Sequence, residues 1–442
     1  MTTHLPSSLP DRAPIAPGDY AQAVSDLLVT RLHRRTESLP LDQCLGRQLA
    51  SDLQALYPAP SFANSQMDGY ALTAQAGGQA NRTFRVGQDI AAGSAPKNLE
   101  INDSIAYPIM TGAPLPQGYE TVVPVEQSRP LSGPGDDAGF AAQGEFVELA
   151  PAPPGQFVRS TGEDIKAGDL LAPAGSTVTP ALAGALAAQG IEKVEIYSPP
   201  RLLVVTGGDE LTNGGTRLQA GRIFDANGPM LQALAQEDGC QVRRVSSTDA
   251  VESFINLLVG ELARQKPDLV VTSGGISHGK YEVIRRALTH LAERSPEGVG
   301  VTDCWFGHVS QQPAGPQGLA LLETAGLTVP VLCLPGNPVS TLISYHLLIR
   351  PVLGRLKGRE PERTVGRLVL GERIQAPAQK TQFLRARLRY LVTEGGARQA
   401  LVEPDTATGS HLLHRAAQAN ALIELEPGVT YKGGETVRYY QL

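Results

Sequence analysis

Apolar residues recur at helical spacing from Tyr20 to about Leu32 (Ala23, Leu27, Leu28, Leu32), which predicts an amphipathic helix, and the segment Glu37–Leu53 continues the pattern. From Ser61 to Leu149 the texture changes to short β-like runs, Thr83–Val86, Ser104–Ile109 and Thr121–Val125, set apart by Gly and Pro. The stretch from Pro130 to Gly155 reads as a long loop or hairpin. Residues 156–197 resume with strand and helix signals. Within Val178–Ile191, Thr179-Pro180 marks a helix start, because proline is preorganised for the first helical position.

After Pro199-Pro200 the pattern changes again. The apolar run Arg201–Thr206 ends in Gly207-Gly208; a helix Asn227–Glu237, a strand Gln241–Val245 and a long helix Asp249–Gln265 follow. The strand Asp268–Ser273 ends in Gly274-Gly275. Val329–Leu334 ends in Pro335-Gly336-Asn337-Pro338 and opens a helix running to about Leu356. Strand, glycine turn and helix in repetition predict a doubly wound parallel sheet, and such sheets bind ligands beyond the carboxyl ends of their strands. From about Glu362, the strands Arg367–Leu370, Phe383–Tyr390 and Leu422–Leu425 predict a small closing β domain. Pro and Gly break the uncharged stretches Leu170–Ile191 and Thr324–Ile349, so no membrane span is expected.

Composition narrows the class. At roughly 100–200 residues per domain, 442 residues make two to four domains. Lys plus Arg number 38 against 44 Asp plus Glu, a net charge of -6, which argues against a nucleic-acid binder relying on phosphate neutralisation. Gly and Pro make up about 18% of the chain against roughly 12% in average usage. With 41% hydrophobic residues that surplus means turns, not general disorder. Cys44, Cys240, Cys304 and Cys333 lie far apart without metal spacing, the usage of reduced thiols in a cytoplasmic protein. Residues 1–16, rich in proline and lacking an apolar core, are expected to be a disordered lead-in and not a signal peptide.

Three strand-end loops carry candidate chemistry. Gly207-Gly208-Asp209-Glu210 places two carboxylates after a strand. Thr272-Ser273-Gly274-Gly275-Ile276-Ser277 combines hydroxyls with bare backbone amides, which cradle anions at a helix start. Leu334-Pro335-Gly336-Asn337-Pro338-Val339-Ser340 offers a rigid turn with Asn and Ser donors. Alone, each is an ordinary connection; in one sheet, all three converge on one pocket. Carboxylates beside phosphate-binding amides suit a bridging Mg²⁺, and Glu282 is near enough in sequence to reach the same ion. Asn64–Tyr70 and Arg159–Ile165 are dense polar segments outside that domain. His411 and His414 stand at i, i+3 spacing without a third ligand, which favours a surface or capping role. No GxSxG or GxxxxGK[ST] segment occurs, which leaves serine-hydrolase and P-loop chemistry without their parts.

Taken together, Ser65-Gln66-Met67-Asp68-Gly69-Tyr70-Ala71, Met110-Thr111-Gly112-Ala113-Pro114, Gly162-Glu163-Asp164-Ile165, Gly208-Asp209-Glu210-Leu211, Ser273-Gly274-Gly275-Ile276-Ser277 and Leu334–Ser340 occur in an order that resembles the molybdopterin molybdenumtransferases. This is the MoeA family, which includes the gephyrin E domain, and the resemblance runs from about residue 17 to the C-terminus. It implies an elongated, multidomain α/β homodimer in the cytoplasm. An N-terminal α+β domain (17–60 plus 155–197) carries an inserted β-rich domain (61–154). A doubly wound MogA-like α/β domain (198–358) and a C-terminal β-barrel (359–442) follow.

The resemblance further implies insertion of molybdate into adenylylated molybdopterin with Mg²⁺-dependent release of AMP, the last step of molybdenum cofactor biosynthesis. Asp209, Glu210 and Glu282 would hold the metal and adenylyl phosphates, and Gly274, Gly275 and Ser277 would cradle the pterin or its phosphate. Asn337, Pro338, Ser340, Arg385 and Ser410 would line the molybdate end. Asp68 and Asp164 would act from the other subunit. Departures from the family pattern are Pro313-Ala314-Gly315-Pro316 for Pro-Gly-Lys-Pro, Gln312 for Lys, Gly207 for Thr, Lys280-Tyr281-Glu282 for Asp-Tyr-Asp, and Gln379-Lys380-Thr381-Gln382-Phe383 for Gly-Arg-x-Glu-Phe. They imply a molybdate end with fewer cations. Partners would be molybdopterin pathway proteins. The alternative is a gephyrin-like scaffold that binds a short peptide of a cytoskeletal, cell-division or membrane-receptor protein, with Ser132–Gly155 as an added surface.

Overall fold

The computed structural model describes residues 5, 9–10, 13–32, 35–78, 82–94, 99–212, 214–276, 282–293, 298–324, 326–357, 364–369, 373–393 and 396–442. They divide into two units, Met1–Glu37 with Tyr197–Leu442, and Ser38–Ile196.

In the first unit, α1 (Pro17–Arg31) starts on its proline and buries Tyr20, Val24, Leu27 and Leu28. That stripe packs against Leu348, Ile349, Val352 and Leu353. The helix therefore belongs with the α/β domain and not with residues 36–60 and 155–197, because its apolar face is spent there. The helical pattern does not continue through Glu37–Leu53. Thr36–Pro40 is a strand and Leu41–Gln43 a single 3₁₀ turn. Pro40 has no N–H to donate and drives the residue before it out of the α region.

The lead-in is not simply a disordered tail. Leu5 N donates to Asp303 Oδ2 at 2.8 Å, Trp305 Nε1 donates to Pro10 O at 2.9 Å, and Leu5 and Leu9 pack on the core. Ile15, 6% exposed, donates from its N to His308 O at 3.0 Å and accepts from Ser310 N at 2.8 Å. An indole N–H under cover needs an acceptor, and an apolar Ile needs a core; both hold the segment. Deleting residues 1–16 is expected to shift the emission of Trp305, the chain's one tryptophan, to longer wavelength. It should also cost about 2 kcal/mol or more of stability, burial of one Ile side chain being worth about 1.5–3 kcal/mol. Fluorescence-detected urea unfolding checks both.

The α/β domain comprises β1 (Arg201–Gly207), α2 (Asn227–Glu237), β2 (Gln241–Ser247), α3 (Val251–Gln265), β3 (Leu269–Ser273), α4 (Val283–Glu293), β4 (Val299–His308), β5 (Pro316–Thr324), β6 (Leu327–Leu334) and α5 (Pro338–Ser344). The sheet order is β2-β1-β3-β6-β5-β4. Its first four strands are parallel, and β5 and β4 close the far edge antiparallel. Strands covered on both faces read as continuous apolar runs, as β1 does. Leu202 and Val204 join the core with α1, while Leu203 and Val205 join the core with α3 and α4. The antiparallel pair is the part of the sheet that the strand–turn–helix pattern does not announce, since no helix separates β4 from β5 or β5 from β6.

After α5 the chain continues helically to Leu356. The last region closes into a five-stranded barrel, β7 (Thr364–Leu368), β8 (Thr381–Val392), β9 (Arg398–Pro404), β10 (Ala421–Leu425) and β11 (Thr436–Gln441), in order β8-β9-β7-β11-β10 with β10 returning to β8. Gln311–Gln312 pairs in parallel with the start of β8 and so joins the barrel to the end of β4.

The second unit contains a six-stranded sheet in the order Tyr119–Pro124, Gly69–Thr73, Ile105–Ile109, Arg82–Val86, Phe146–Leu149 and Ser128–Pro130. The last two strands form an antiparallel hairpin with residues 131–145 as its loop, in keeping with the loop or hairpin expected from Pro130. Thr179 caps the helix Pro180–Ala188, its side chain accepting from Leu182 N. No helix among the described residues is long and apolar enough to cross a membrane.

Candidate functional site

The carboxyl ends of β1, β3 and β6 open onto one cleft of about 1020 Å³. Two glycines give the β3 loop its shape: Gly274 and Gly275 have φ of +96° and +59°, left-handed values that a side chain resists. A Cβ on Gly275 would lie 3.2 Å from Ile284 N, and one on Gly336 would lie 3.3 Å from Gly274 Cα. The β3 and β6 loops thus meet backbone to backbone.

Side chains lock that meeting. Ser273 Oγ donates to Pro335 O at 3.1 Å and accepts from Asn227 Nδ2 at 2.9 Å. Asn227 Nδ2 also donates to Gly336 O at 2.7 Å, and Thr341 Oγ1 donates to Pro335 O at 2.6 Å. Asn227 Oδ1 is buried without a hydrogen-bond partner among the described residues. A buried orphan acceptor in a cleft wall is what a bound donor group would satisfy.

Of the residues expected here, Glu210, Glu282, Gly274, Gly275, Asn337, Pro338, Ser340 and Ser410 line the cleft. Ser277 lies outside the described residues, as do Lys280 and Tyr281. Asp209 does not line the cleft. Its N donates to Asp249 Oδ2 at 3.0 Å while Asp249 N donates to its Oδ1 at 3.2 Å, so it ties two loops together. Arg385 does not line the cleft either. It is 3% exposed, donates to Leu412 O at 2.7 Å and to Ala407 O, and pairs with Asp405 at 3.3 Å. Burial pulls its guanidinium below the usual arginine range, and Asp405 offsets part of the shift. Its donors hold the 405–412 loop, whose Thr408, Ser410 and His411 do reach the cleft.

Asp68 and Asp164 belong to the other unit, and both are exposed. Asp68 Oδ1 accepts from Thr111 N at 2.6 Å and Thr111 Oγ1 at 2.7 Å, and these hydrogen bonds, the backbone one foremost, lower its pKa. The Met-Asp-Gly-Tyr and Met-Thr-Gly-Ala-Pro segments are therefore joined. Asn64–Ser65 also pairs with Val158–Arg159, which brings the Gly-Glu-Asp segment alongside. Asp164 N donates to Ala59 O at 2.9 Å.

Among the cleft-lining residues absent from the expected set are Asp225, Asp249, Asn227, His308 and His411. Asp225 accepts from Thr206 Oγ1 at 2.9 Å and from Gly228 N at 2.9 Å, an acceptor for the opening turn of α2. An Asp two residues before a predicted helix was the available signal for it. His411, expected at the surface or at a cap, is exposed and lines the cleft. Gln312 and Gly315, the positions that depart from the family's lysines, line it as well, together with Lys380.

The family described as "MoeA N-terminal region (domain I and II)" matches residues 18–190, "Probable molybdopterin binding domain" matches 203–355, and "MoeA C-terminal region (domain IV)" matches 367–442. Molybdopterin molybdenumtransferase 2 of Mycobacterium tuberculosis is 36% identical over 401 residues, covering 89% of this chain and 92% of the relative. Molybdopterin molybdenumtransferase of Haemophilus influenzae is 31% identical over 407 residues, covering 91% and 93%. A crystal structure of the molybdopterin biosynthesis MoeA protein from Pyrococcus horikoshii superposes with a TM-score of 0.76 at 26% identity, over 98% of this chain and 99% of that one. With three family matches in order and relatives aligned over nine-tenths of its length, the chain belongs to the MoeA family, whose curated members carry the name molybdopterin molybdenumtransferase.

Proposed function

We propose that the chain inserts molybdate into adenylylated molybdopterin and releases AMP in the last step of molybdenum cofactor biosynthesis, a reaction placed in the cytoplasm beside the other molybdopterin pathway proteins. The observation that carries this reading is the cleft itself. Backbone-rich glycine turns, suited to phosphate, line it together with the carboxylates Glu210, Asp225, Asp249 and Glu282 and the basic side chains His308, Lys380 and His411.

The four carboxylates offer only hard oxygen donors, which fit Mg²⁺. Among the described residues no three metal-ligating side chains form a group that could hold an ion unaided. Glu210 and Glu282 would hold Mg²⁺ together with water and substrate phosphate oxygens, and the ion would supply charge neutralisation at the adenylyl phosphate. The chain's own groups do the rest by positioning. Gly274 and Gly275 present their backbone to the phosphate or pterin, Ser273 and Asn227 fix that turn, and Asn337 and Ser340 orient the oxyanion end. Asp68 and Asp164, exposed on adjoining segments, would enter the cleft of a second copy, which makes the working form a homodimer.

The name carried by relatives along most of the chain favours catalysis over the peptide-scaffold alternative. The test is AMP release from adenylylated molybdopterin, followed with and without molybdate at saturating Mg²⁺. Release that depends on molybdate supports the reading, and a folded dimer that releases none rejects it.

A further inference from the structure

Charge in the cleft is sorted by element. Glu210 follows β1, Asp249 follows β2 and Asp225 precedes α2, which packs on those two strands, so three of the four carboxylates belong to the β2–β1 side of the sheet; Glu282 precedes α4, which packs on β4. The basic side chains come from the other side: His308 ends β4, the opposite edge strand. Lys380 and His411 belong to the barrel segments joined to that edge through Gln311–Gln312. Among the described lining residues these three are the basic ones.

Both imidazoles sit over glycines. A Cβ on Gly315 would lie 2.4 Å from His308 Nε2, and one on Gly409 would lie 2.9 Å from His411 Cε1. Any side chain at either position would take the space its ring occupies. The backbone beneath the first ring is held on two sides: Val309 N donates to Gly315 O at 2.7 Å, and His308 O accepts from Ile15 N at 3.0 Å. Next to it, Thr381 N donates to Ser310 O at 3.0 Å, which anchors the residue following Lys380 to the same loop.

We propose that His308 and Lys380, with His411 on the barrel loop, bind the oxyanion substrate and set the cleft's preference for a tetrahedral dianion at this end, Gly315 and Gly409 being the seats that hold the imidazoles in place. The proposal rests on the molybdate-inserting reading above and deepens it by assigning the residues that recognise the oxyanion. N–H donors of imidazole and ammonium meet an oxyanion with charge-assisted hydrogen bonds, stronger than neutral ones. The carboxylate side of the same cleft repels it, so the anion is directed to one end.

The test uses the full chain and isothermal titration with sodium molybdate, and separately with AMP in Mg²⁺. His308→Ala and Lys380→Met are each expected to weaken molybdate binding about tenfold or more, a charged hydrogen bond being worth about that factor, with AMP affinity held within about twofold. Gly315→Ala deletes no basic group yet displaces the His308 ring, so it should weaken molybdate binding as His308→Ala does. Only the end of a side chain has to move, so its thermal unfolding should stay near that of the parent. His414→Ala, outside the cleft, should leave molybdate binding unchanged.

Molybdate affinity that stays unchanged in His308→Ala and Lys380→Met, or a parent chain that binds no molybdate, overturns the proposal. If molybdate-dependent AMP release persists unchanged in the variants, this assignment fails while the proposed reaction stands. If the parent binds molybdate and the variants do not, yet AMP is never released, the assignment stands and the reaction fails.

Discussion

Glu210→Gln is expected to lower Mg²⁺-dependent AMP release about a hundredfold or more, the scale on which loss of one preorganised electrostatic group acts. Glu210 follows the Gly207-Gly208 turn and curls back over it: a Cβ on Gly208 would lie 2.5 Å from Glu210 Oε2. Gln has the same shape and keeps an oxygen in that space, so the substitution removes charge without emptying the site. Glu210 is exposed, so folding stability should not change. The loss should appear first as a higher Mg²⁺ requirement, and added Mg²⁺ should recover part of the rate. Asp209→Asn is the informative contrast. Its carboxylate engages the backbone of Asp249 and does not line the cleft, so its rate should fall by no more than about threefold, a difference of well under 1.4 kcal/mol in barrier. Steady-state AMP release across a Mg²⁺ series checks both; equal losses in the two variants would return Asp209 to the metal.

Arg385→Leu is expected to cost about 3–5 kcal/mol of stability, the scale for removing one partner of a buried ion pair. The guanidinium is almost wholly enclosed. Its loss would strand two carbonyls, Ala407 O and Leu412 O, and part of the Asp405 carboxylate. Arg415 also pairs with Asp405 at 3.2 Å, which leaves some order in the loop. Lys at 385 should recover only part of the stability, because a point-charge ammonium cannot fork to two carbonyls and a carboxylate at once. Chemical denaturation gives the stability, and molybdate titration of the same variants gives the consequence for the loop that carries Ser410 and His411. A variant that loses molybdate binding with its stability intact would show that Arg385 serves the ligand and not the loop.

These two residues mark the limit of what the sequence can disclose. The glycine turns at 207–208, 274–275 and 335–338 were legible because positive φ and close backbone approach demand glycine, and the pattern of strand, turn and helix says where in a doubly wound sheet such turns lie. Asn227–Glu237 was legible as a helix from its spacing alone. Arg385 was placed at the site only by the family resemblance and Asp209 by its position after a strand, and which way each side chain turns is decided by partners tens of residues away: Ala407 and Leu412 for one, Asp249 for the other. His308 was illegible for the same reason, and Lys380 was legible only as the residue standing where the family has arginine. Their place depends on a β4–β5 hairpin and a strand pairing between Gln311–Gln312 and β8 that leave no helical or alternating signature. The missing helix at Glu37–Leu53 is the opposite case, since Pro40 stands in the sequence and breaks the helix that apolar spacing alone predicts.

The basic wall of the cleft is built from the beginning, the middle and the end of the chain: Ile15 braces His308 and Ser310, and Lys380, Thr408, Ser410 and His411 arrive with the barrel. A chain leaving the ribosome can fold the α/β domain, His308 included, before the barrel residues Lys380, Thr408, Ser410 and His411 emerge, since domains fold as units in the order of synthesis. Half-made protein therefore presents the carboxylates with His308 alone opposite them, and the basic wall is completed only once the barrel has been translated and closed.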